Sequence, residues 1–132
     1  IEQILHKFGI ESMEDKGYRM AYRLAADNLV LGLDVVADSA NPIRETRKAW
    51  GNIVRDSGSM FCEIEVSCSD SDENRQRIET RVSDIGGLQL PDWEEVVNRQ
   101  YEAWETDRIV IETAGKSLDE SRKELDRFLT EG

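Results

Sequence analysis

Apolar residues recur at helical spacing along most of the chain. Tyr18, Tyr22, Ala25 and Leu29 share one side of a helix that Gly32 would end. The same pattern predicts further helices and, near the start, a short amphipathic stretch. The predicted helices cover 18–31, 42–57, 72–84, 91–101 and the residues from 117 onward, and the amphipathic stretch covers 4–10.

Helix-capping residues mark several of these ends. Asn41 is the predicted N-cap of the second helix, with Pro42 in its first turn, and Gly58 ends that helix. Ser117 and Glu120 have the spacing of a capping box at the start of the last helix.

Short runs of β-branched residues separate the helices. They predict strands over 34–38, 60–66 and 108–112. Because strands alternate with helices, we expect an α/β fold with a parallel sheet, helices on its faces, and Asp38 at a carboxyl edge.

Composition narrows the functional classes. The 132 residues suit one domain, so we expect residues 1–132 to form a single α/β domain. The net charge of −11 disfavours binding to nucleic acid or to anionic lipid. No apolar run approaches the roughly 20 residues that cross a bilayer, and no secretory signal is visible.

The two cysteines indicate a reducing compartment. Cys62 and Cys68 lie six residues apart in one predicted strand region, about 20 Å in extended chain, which is too far for a disulfide. We therefore expect free thiols and a cytoplasmic location. The lone histidine, His6, is remote from both thiols, so a zinc site is not expected.

One phosphate-binding motif is present only in part. Gly115, Lys116 and Ser117 stand between a predicted strand and a predicted helix, as the end of a P-loop would. The first glycine of that motif would fall at Val110, in the middle of the strand. A turn glycine followed by a serine N-cap accounts for the tripeptide.

An acidic residue after the first predicted strand is a candidate ligand-binding group. Ligands of open α/β sheets bind at the carboxyl ends of strands, where Asp38 is expected. Asp38 could hold a Mg²⁺-bound water, with Ser39 and Asn41 on the same rim. The alternative is that Asp38 caps a turn and Asn41 caps a helix.

Three arginines stand in one predicted helix of this acidic chain. Arg77 and Arg81 are one helical turn apart, and their guanidinium groups are suited to clamping a phosphate. The alternative is a self-neutralised surface helix, in which Arg77 pairs with Glu73 and Arg75 pairs with Glu79.

Taken together, these segments resemble the small-molecule kinases of the P-loop ATPases, a group that includes predicted kinases of the AAA ATPase class. The similarity follows the chain in order over most of its length. The matching stretches are 35–42, 47–50, 65–70, 73–81, 90–93, Tyr101 with Glu102, and 113–115.

The resemblance implies a three-layer α-β-α fold and the transfer of phosphate from ATP, with Mg²⁺, to an unidentified small-molecule acceptor. It implies catalytic roles for Asp38, Arg77 and Arg81, with Asp38 also near the metal through a bound water. The region 70–107 would be a lid-like helical part of the domain. The implied substrate-binding residues are Ser39, Asn41, Arg44 and Arg75, and the implied nucleotide-binding residues are Thr113, Ala114 and Gly115.

This sequence departs from the family pattern in one respect: it does not contain the P-loop. In the family it lies on a first strand and helix upstream of the matching segments, so we expect a domain that is N-terminally incomplete and inactive by itself. Two central strand edges would then be unpaired. We expect upstream residues to fill the gap; the alternatives are a strand-complementing homo-oligomer and direct pairing of the two strands. The alternative functions are a non-catalytic remnant of the fold, a protein-interaction module, or an acidic decoy of a basic partner.

Overall fold

The computed structural model describes residues 13–131, with side chains over 17–130. The amphipathic stretch predicted over 4–10 lies outside the described residues. The chain divides into two compact units. The first runs up to Phe61 and includes Tyr101–Trp104, and the second comprises Cys62–Gln100 and the residues from Glu105 onward.

Two helices that pack against each other form most of the first unit. Helix α1 spans Met13–Val30 and helix α2 spans Arg44–Ser57. Ala25 is buried between them, and the rings of Tyr22 and Trp50 meet edge to face with centroids 4.6 Å apart. The helix predicted over 18–31 is therefore confirmed, and its apolar side is the side that packs.

A buried arginine joins residues 101–104 to this helix pair. Arg47 is only 7% exposed, and its guanidinium lies 4.4 Å from the centre of the Trp104 ring. The guanidinium donates hydrogen bonds to the carbonyl groups of Asn41, Pro42, Glu102 and Ala103. One side chain on α2 thus fixes two loop segments of the first unit.

The start of α2 differs from the sequence prediction. The helix begins at Arg44, and its N-cap is Ile43, which makes no side-chain capping bond. Asn41 is not the N-cap, because its backbone is left-handed, with φ 42°, and its side chain binds elsewhere. The end is as predicted: Gly58 closes α2 in the left-handed conformation.

The strand predicted over 34–38 is wrong. Within the described part of the first unit there is no strand to pair with it, and the segment runs without regular structure. Its residues are exposed, Val36 to 94%. Since a strand is stabilised by its ladder partner, β-branched residues alone do not form one.

A small parallel sheet organises the second unit, so the chain is broadly α/β, as predicted. Strand β1 spans Ile64–Ser67 and strand β2 spans Ile109–Glu112, with Ile64 beside Ile109 and Val66 beside Ile111. Helix α5, Leu118–Glu131, packs on β2, and Ile111 is buried to 3% exposure. The described residues thus form two of the three predicted strands, although β1 covers 64–67 and not the predicted 60–66.

Side-chain caps define the remaining helices. Asp70 caps α3, Ser71–Thr80, by accepting from two backbone N–H groups, and Asp92 forms a reciprocal capping box with Glu95 at α4, Trp93–Val97. The capping box of Ser117 and Glu120 is confirmed at α5.

Helices α3 and α4 are shorter than predicted. Helix α3 ends at Thr80 and not at residue 84, and α4 ends at Val97 and not at residue 101. The predicted seam beyond α3 does not pack, since Val82 and Ile85 are exposed. Without burial of those side chains, the extra turn has nothing to stabilise it.

Cys62 and Cys68 are free thiols, as predicted. Among the described residues, no helix combines the length and the apolar character that a membrane span requires.

Candidate functional site

A cleft of about 670 Å³ opens in the first unit, beside one side of α1. Residues 34–39 line it together with Trp50 of α2. Two residues chosen from the sequence, Asp38 and Ser39, lie on this lining. The α1 residues that line the cleft are Gly17, Tyr18, Ala21, Leu24, Ala25 and Asn28.

Asn41 holds the aromatic walls of this cleft in place. Its backbone N–H donates to Tyr18 Oη at 3.1 Å, and its Oδ1 accepts from Trp50 Nε1 at 3.1 Å. Its carbonyl oxygen accepts from Arg47 Nε at 3.0 Å. These bonds make Asn41 a support for the residues that line the cleft, and its expected contact with substrate stays a prediction.

Asp38 and Arg44, also predicted site residues, are both exposed in the first unit. Asp38 forms no ion pair within the described residues. The backbone N–H of Arg44 donates to Glu102 Oε2 at 2.7 Å. Arg44 is absent from the lining of the cleft, so its predicted substrate contact is not part of this site.

The small number of carboxylates around the cleft, those of Asp34 and Asp38, limits what metal Asp38 can help to hold. The described residues contain no cluster of three or more acidic, histidine or cysteine side chains with metal-binding geometry. Mg²⁺ in phosphate-transfer sites is bound by one or two carboxylates together with phosphate oxygens and water. Asp38 fits that kind of shared ligation and does not by itself form a metal site.

Arg77 and the predicted nucleotide loop meet in the second unit. Arg77 donates to Thr113 Oγ1 and to the Thr113 carbonyl, both at 3.0 Å, and to the Lys116 carbonyl at 3.4 Å. Glu73 pairs with Arg77 at 2.5 Å and accepts from the backbone N–H of Gly115 at 2.8 Å. Helix α3 is thereby tied to the turn between β2 and α5.

Glu112, which sequence reasoning missed, organises the same turn. Its carboxylate accepts from the backbone N–H groups of Ala114 and Ser69, each at 2.9 Å, and from Ser67 Oγ at 3.2 Å. The N–H of Ala114, then that of Ser69, holds the pKa of Glu112 below its usual value. The only signal in the sequence is an acid at the end of a strand before a small-residue turn.

The hydrogen bonds from Glu112 and Glu73 to this turn limit which ligand group the turn could bind. The N–H groups of Ala114 and Gly115 are already bound by the carboxylates of Glu112 and Glu73. A phosphate at this turn would have to displace both carboxylates, so the turn does not fit a phosphate. The resemblance expects the adenine ring here.

Arg75 and Arg81 line a second cleft of about 670 Å³, between α3 and α4, with Trp93. Arg75 pairs with Glu79 at 2.7 Å, and Arg81 donates to the Pro91 carbonyl. Arg77 does not line this cleft, and Arg77 and Arg81 contact different segments, residue 113 and residue 91 respectively. Their joint clamping of a phosphate stays a prediction. Both ion pairs of the self-neutralised helix, Glu73–Arg77 and Arg75–Glu79, are formed.

The predicted site residues therefore fall into two groups. Asp38, Ser39, Asn41 and Arg44 belong to the first unit, and the arginines of α3 with residues 113–115 belong to the second. No family model, no curated protein and no solved structure matches this chain.

Proposed function

We propose that this chain is part of an ATP-dependent small-molecule phosphotransferase of the P-loop kinase type, in which the cleft of the first unit binds the phosphate acceptor. One observation carries the proposal. Asp38 and Ser39, selected from the sequence as catalytic and substrate-binding residues, both line that cleft. A substrate site needs such a concave surface, mainly apolar, with a few polar groups at its edge.

The sheet of the second unit supports a larger α/β architecture in this proposal. Side chains of Val66 and Ile111 share one face of the parallel pair, yet Val66 is 68% exposed while Ile111 is buried. A further strand and layer beside β1 would bury Val66. The proposed fold is accordingly a three-layer α-β-α fold whose sheet contains additional strands, and the proposed location is cytoplasmic.

In the proposed reaction, Asp38 positions the acceptor hydroxyl and contributes to the site of the Mg²⁺ that accompanies ATP. Ser39 contacts the acceptor at the rim of the cleft. Arg81, whose guanidinium makes one hydrogen bond within the described residues, is available to neutralise phosphate charge. Arg77 serves chiefly to hold the turn 113–115, which is the proposed adenine contact.

The test uses the protein encoded by the whole reading frame that contains this sequence. We expect that protein to carry a G-x-x-x-x-G-K-[ST] segment and to consume ATP in the presence of Mg²⁺. D38N should lower ATP turnover at least about tenfold, the usual order for loss of a reacting group, without moving the thermal midpoint. D56N, a change at an exposed aspartate of α2 outside the cleft, is the matched control.

Turnover by D38N equal to that of D56N would reject the proposed role of Asp38. Failure of the intact protein to bind ATP would reject the proposal as a whole. R81A should likewise lower turnover with little loss of stability, and adding R77A should lower both, because Arg77 holds the turn. A large drop in thermal midpoint for R81A with unchanged turnover would instead indicate a structural role.

A second candidate is a protein-interaction module without catalysis, and the segment after α1 favours it. Leu33, Val35 and Val36 are exposed, and their segment makes no strand pairing within the described residues. Exposed apolar chain of this kind promotes association. Light scattering on the 132-residue chain should then show oligomers that L33S and V36S convert to monomers, whereas a monodisperse wild-type monomer would reject this candidate.

A further inference from the structure

We propose that the cleft of the first unit selects a small molecule that carries an amine next to an apolar, ring-sized body. The inference rests on the proposed function only in treating that molecule as the phosphate acceptor. The binding preference of the cleft follows from the charges and the apolar surfaces that line it. Two carboxylates, those of Asp34 and Asp38, line the cleft, and no lysine or arginine is among the described lining residues.

Both carboxylates are available to a ligand. Within the described residues, neither Asp34 nor Asp38 has an ion-pair partner. On the same helix as the cleft wall, Asp27 is already paired with Arg23 at 3.3 Å, and neither of these residues lines the cleft. An ammonium group is the ligand charge that these carboxylates complement, and both carboxylates would repel an anionic ligand.

Most of the residues that line the cleft are apolar or aromatic. Tyr18, Ala21, Leu24 and Trp50 are among them. The Trp50 N–H donates to Asn41 Oδ1, so Trp50 offers a ligand its ring surface. Tyr18 Oη accepts from the Asn41 backbone N–H, so Tyr18 offers its ring surface and its O–H donor. Ring faces attract cations and pack against apolar groups.

The dimensions agree with a small molecule. A volume of about 670 Å³ lies within the range of roughly 300–1,000 Å³ typical of drug-sized ligand sites. An apolar body would pack on the apolar and aromatic lining, and its ammonium group would face the two aspartates. Electrostatics then select among ligands of the same shape.

Three probes that differ in one group test this selection. Tyramine, 4-ethylphenol and 3-(4-hydroxyphenyl)propionate share a phenol ring and carry, respectively, an amine, no charge and a carboxylate. Their binding to the chain is measured without ATP, from chemical-shift changes of the Trp50 indole N–H in ¹⁵N-labelled protein. We expect tyramine to bind at least about fivefold more tightly than 4-ethylphenol, the size expected for two exposed charge contacts, and the propionate to bind most weakly.

The double variant D34N/D38N should lose about fivefold in tyramine affinity and keep its affinity for 4-ethylphenol, which also shows that the cleft is intact. D56N should bind all three probes as the wild type does. Equal binding of tyramine and 4-ethylphenol, or unchanged tyramine binding by the double variant, would overturn the inference. If the chain prefers the amine but the intact protein never consumes ATP, the proposed phosphotransferase activity is rejected and the proposed amine site is retained.

Discussion

Replacing Arg47 with alanine should lower the free energy of unfolding of the first unit by about 3–5 kcal/mol. The guanidinium donates to four carbonyl groups, at 2.5 to 3.3 Å, and stacks on the Trp104 ring. Hydrogen bonds that involve a charged group contribute roughly 1.5–3 kcal/mol each, so four would sum to about 6–12 kcal/mol.

The expected loss is smaller than that sum, because truncation opens the site to water. The carbonyl groups of Glu102 and Ala103 lie in a half-exposed loop and can bind solvent once the side chain is gone. R47K should fall between the wild type and R47A. Its ammonium keeps the charge but has three donors, too few for four carbonyl groups.

A urea melt of the W93F background is the assay, because the remaining tryptophans, Trp50 and Trp104, both belong to the first unit. R55A on the same helix is the control. The exposed Arg55 side chain makes one hydrogen bond within the described residues, at 3.1 Å to Asn52 Oδ1, so its loss should cost under about 0.5 kcal/mol. A loss below about 1 kcal/mol for R47A would refute the reasoning.

Three further predictions concern charge, backbone conformation and the turn of the second unit. Since the pKa of Glu112 is lowered by folding, its carboxylate stabilises the fold above its ordinary pKa of 4.5, and this stabilisation is lost as the pH falls through the lowered value. The urea midpoint of E112Q should therefore fall less than that of the wild type on acidification from neutral pH. G58A should lower the free energy of unfolding by about 1 kcal/mol, because φ at Gly58, just after α2, is 68°. G51A, inside α2, should raise it by up to about 1 kcal/mol. Equal changes in thermal midpoint would contradict this. R77A should lower stability by about 1–2 kcal/mol in urea melts, and R75A should lower it less, because Arg77 bonds across the fold and Arg75 only within its helix. The reverse order would count against the turn contacts.

Local rules were sufficient for much of the secondary structure. Helical spacing of apolar residues located α1, and a glycine with left-handed backbone ended α2 at Gly58, as expected. The capping box at Ser117 was also recognised, because its two bonds join residues three apart in sequence. The parallel pairing of β1 with β2 followed from the alternation of strands and helices.

The candidate site was predictable only in part. Asp38 and Ser39 could be selected because an acid after an apolar run is a feature of the sequence, and both line the cleft. Their cleft, however, is formed with α1 and Trp50, not at the end of a strand. Residues 34–38 could form a strand only beside a neighbouring strand, and only the tertiary structure decides whether a strand lies there.

The sequence by itself determined the interactions that close within a few residues: helix periodicity, caps, turn glycines and the Arg75–Glu79 pair. Only the tertiary structure decided the contacts of Arg47 with residues 102 and 103, and those of Glu112 with Ser69. The partners of Arg47 there are backbone carbonyl groups, which every residue carries, so no side-chain pattern marks them. For the same reason Asn41 looked like a helix cap or a ligand contact, and it is the arrangement of Tyr18 and Trp50 around it that makes it a support of the cleft.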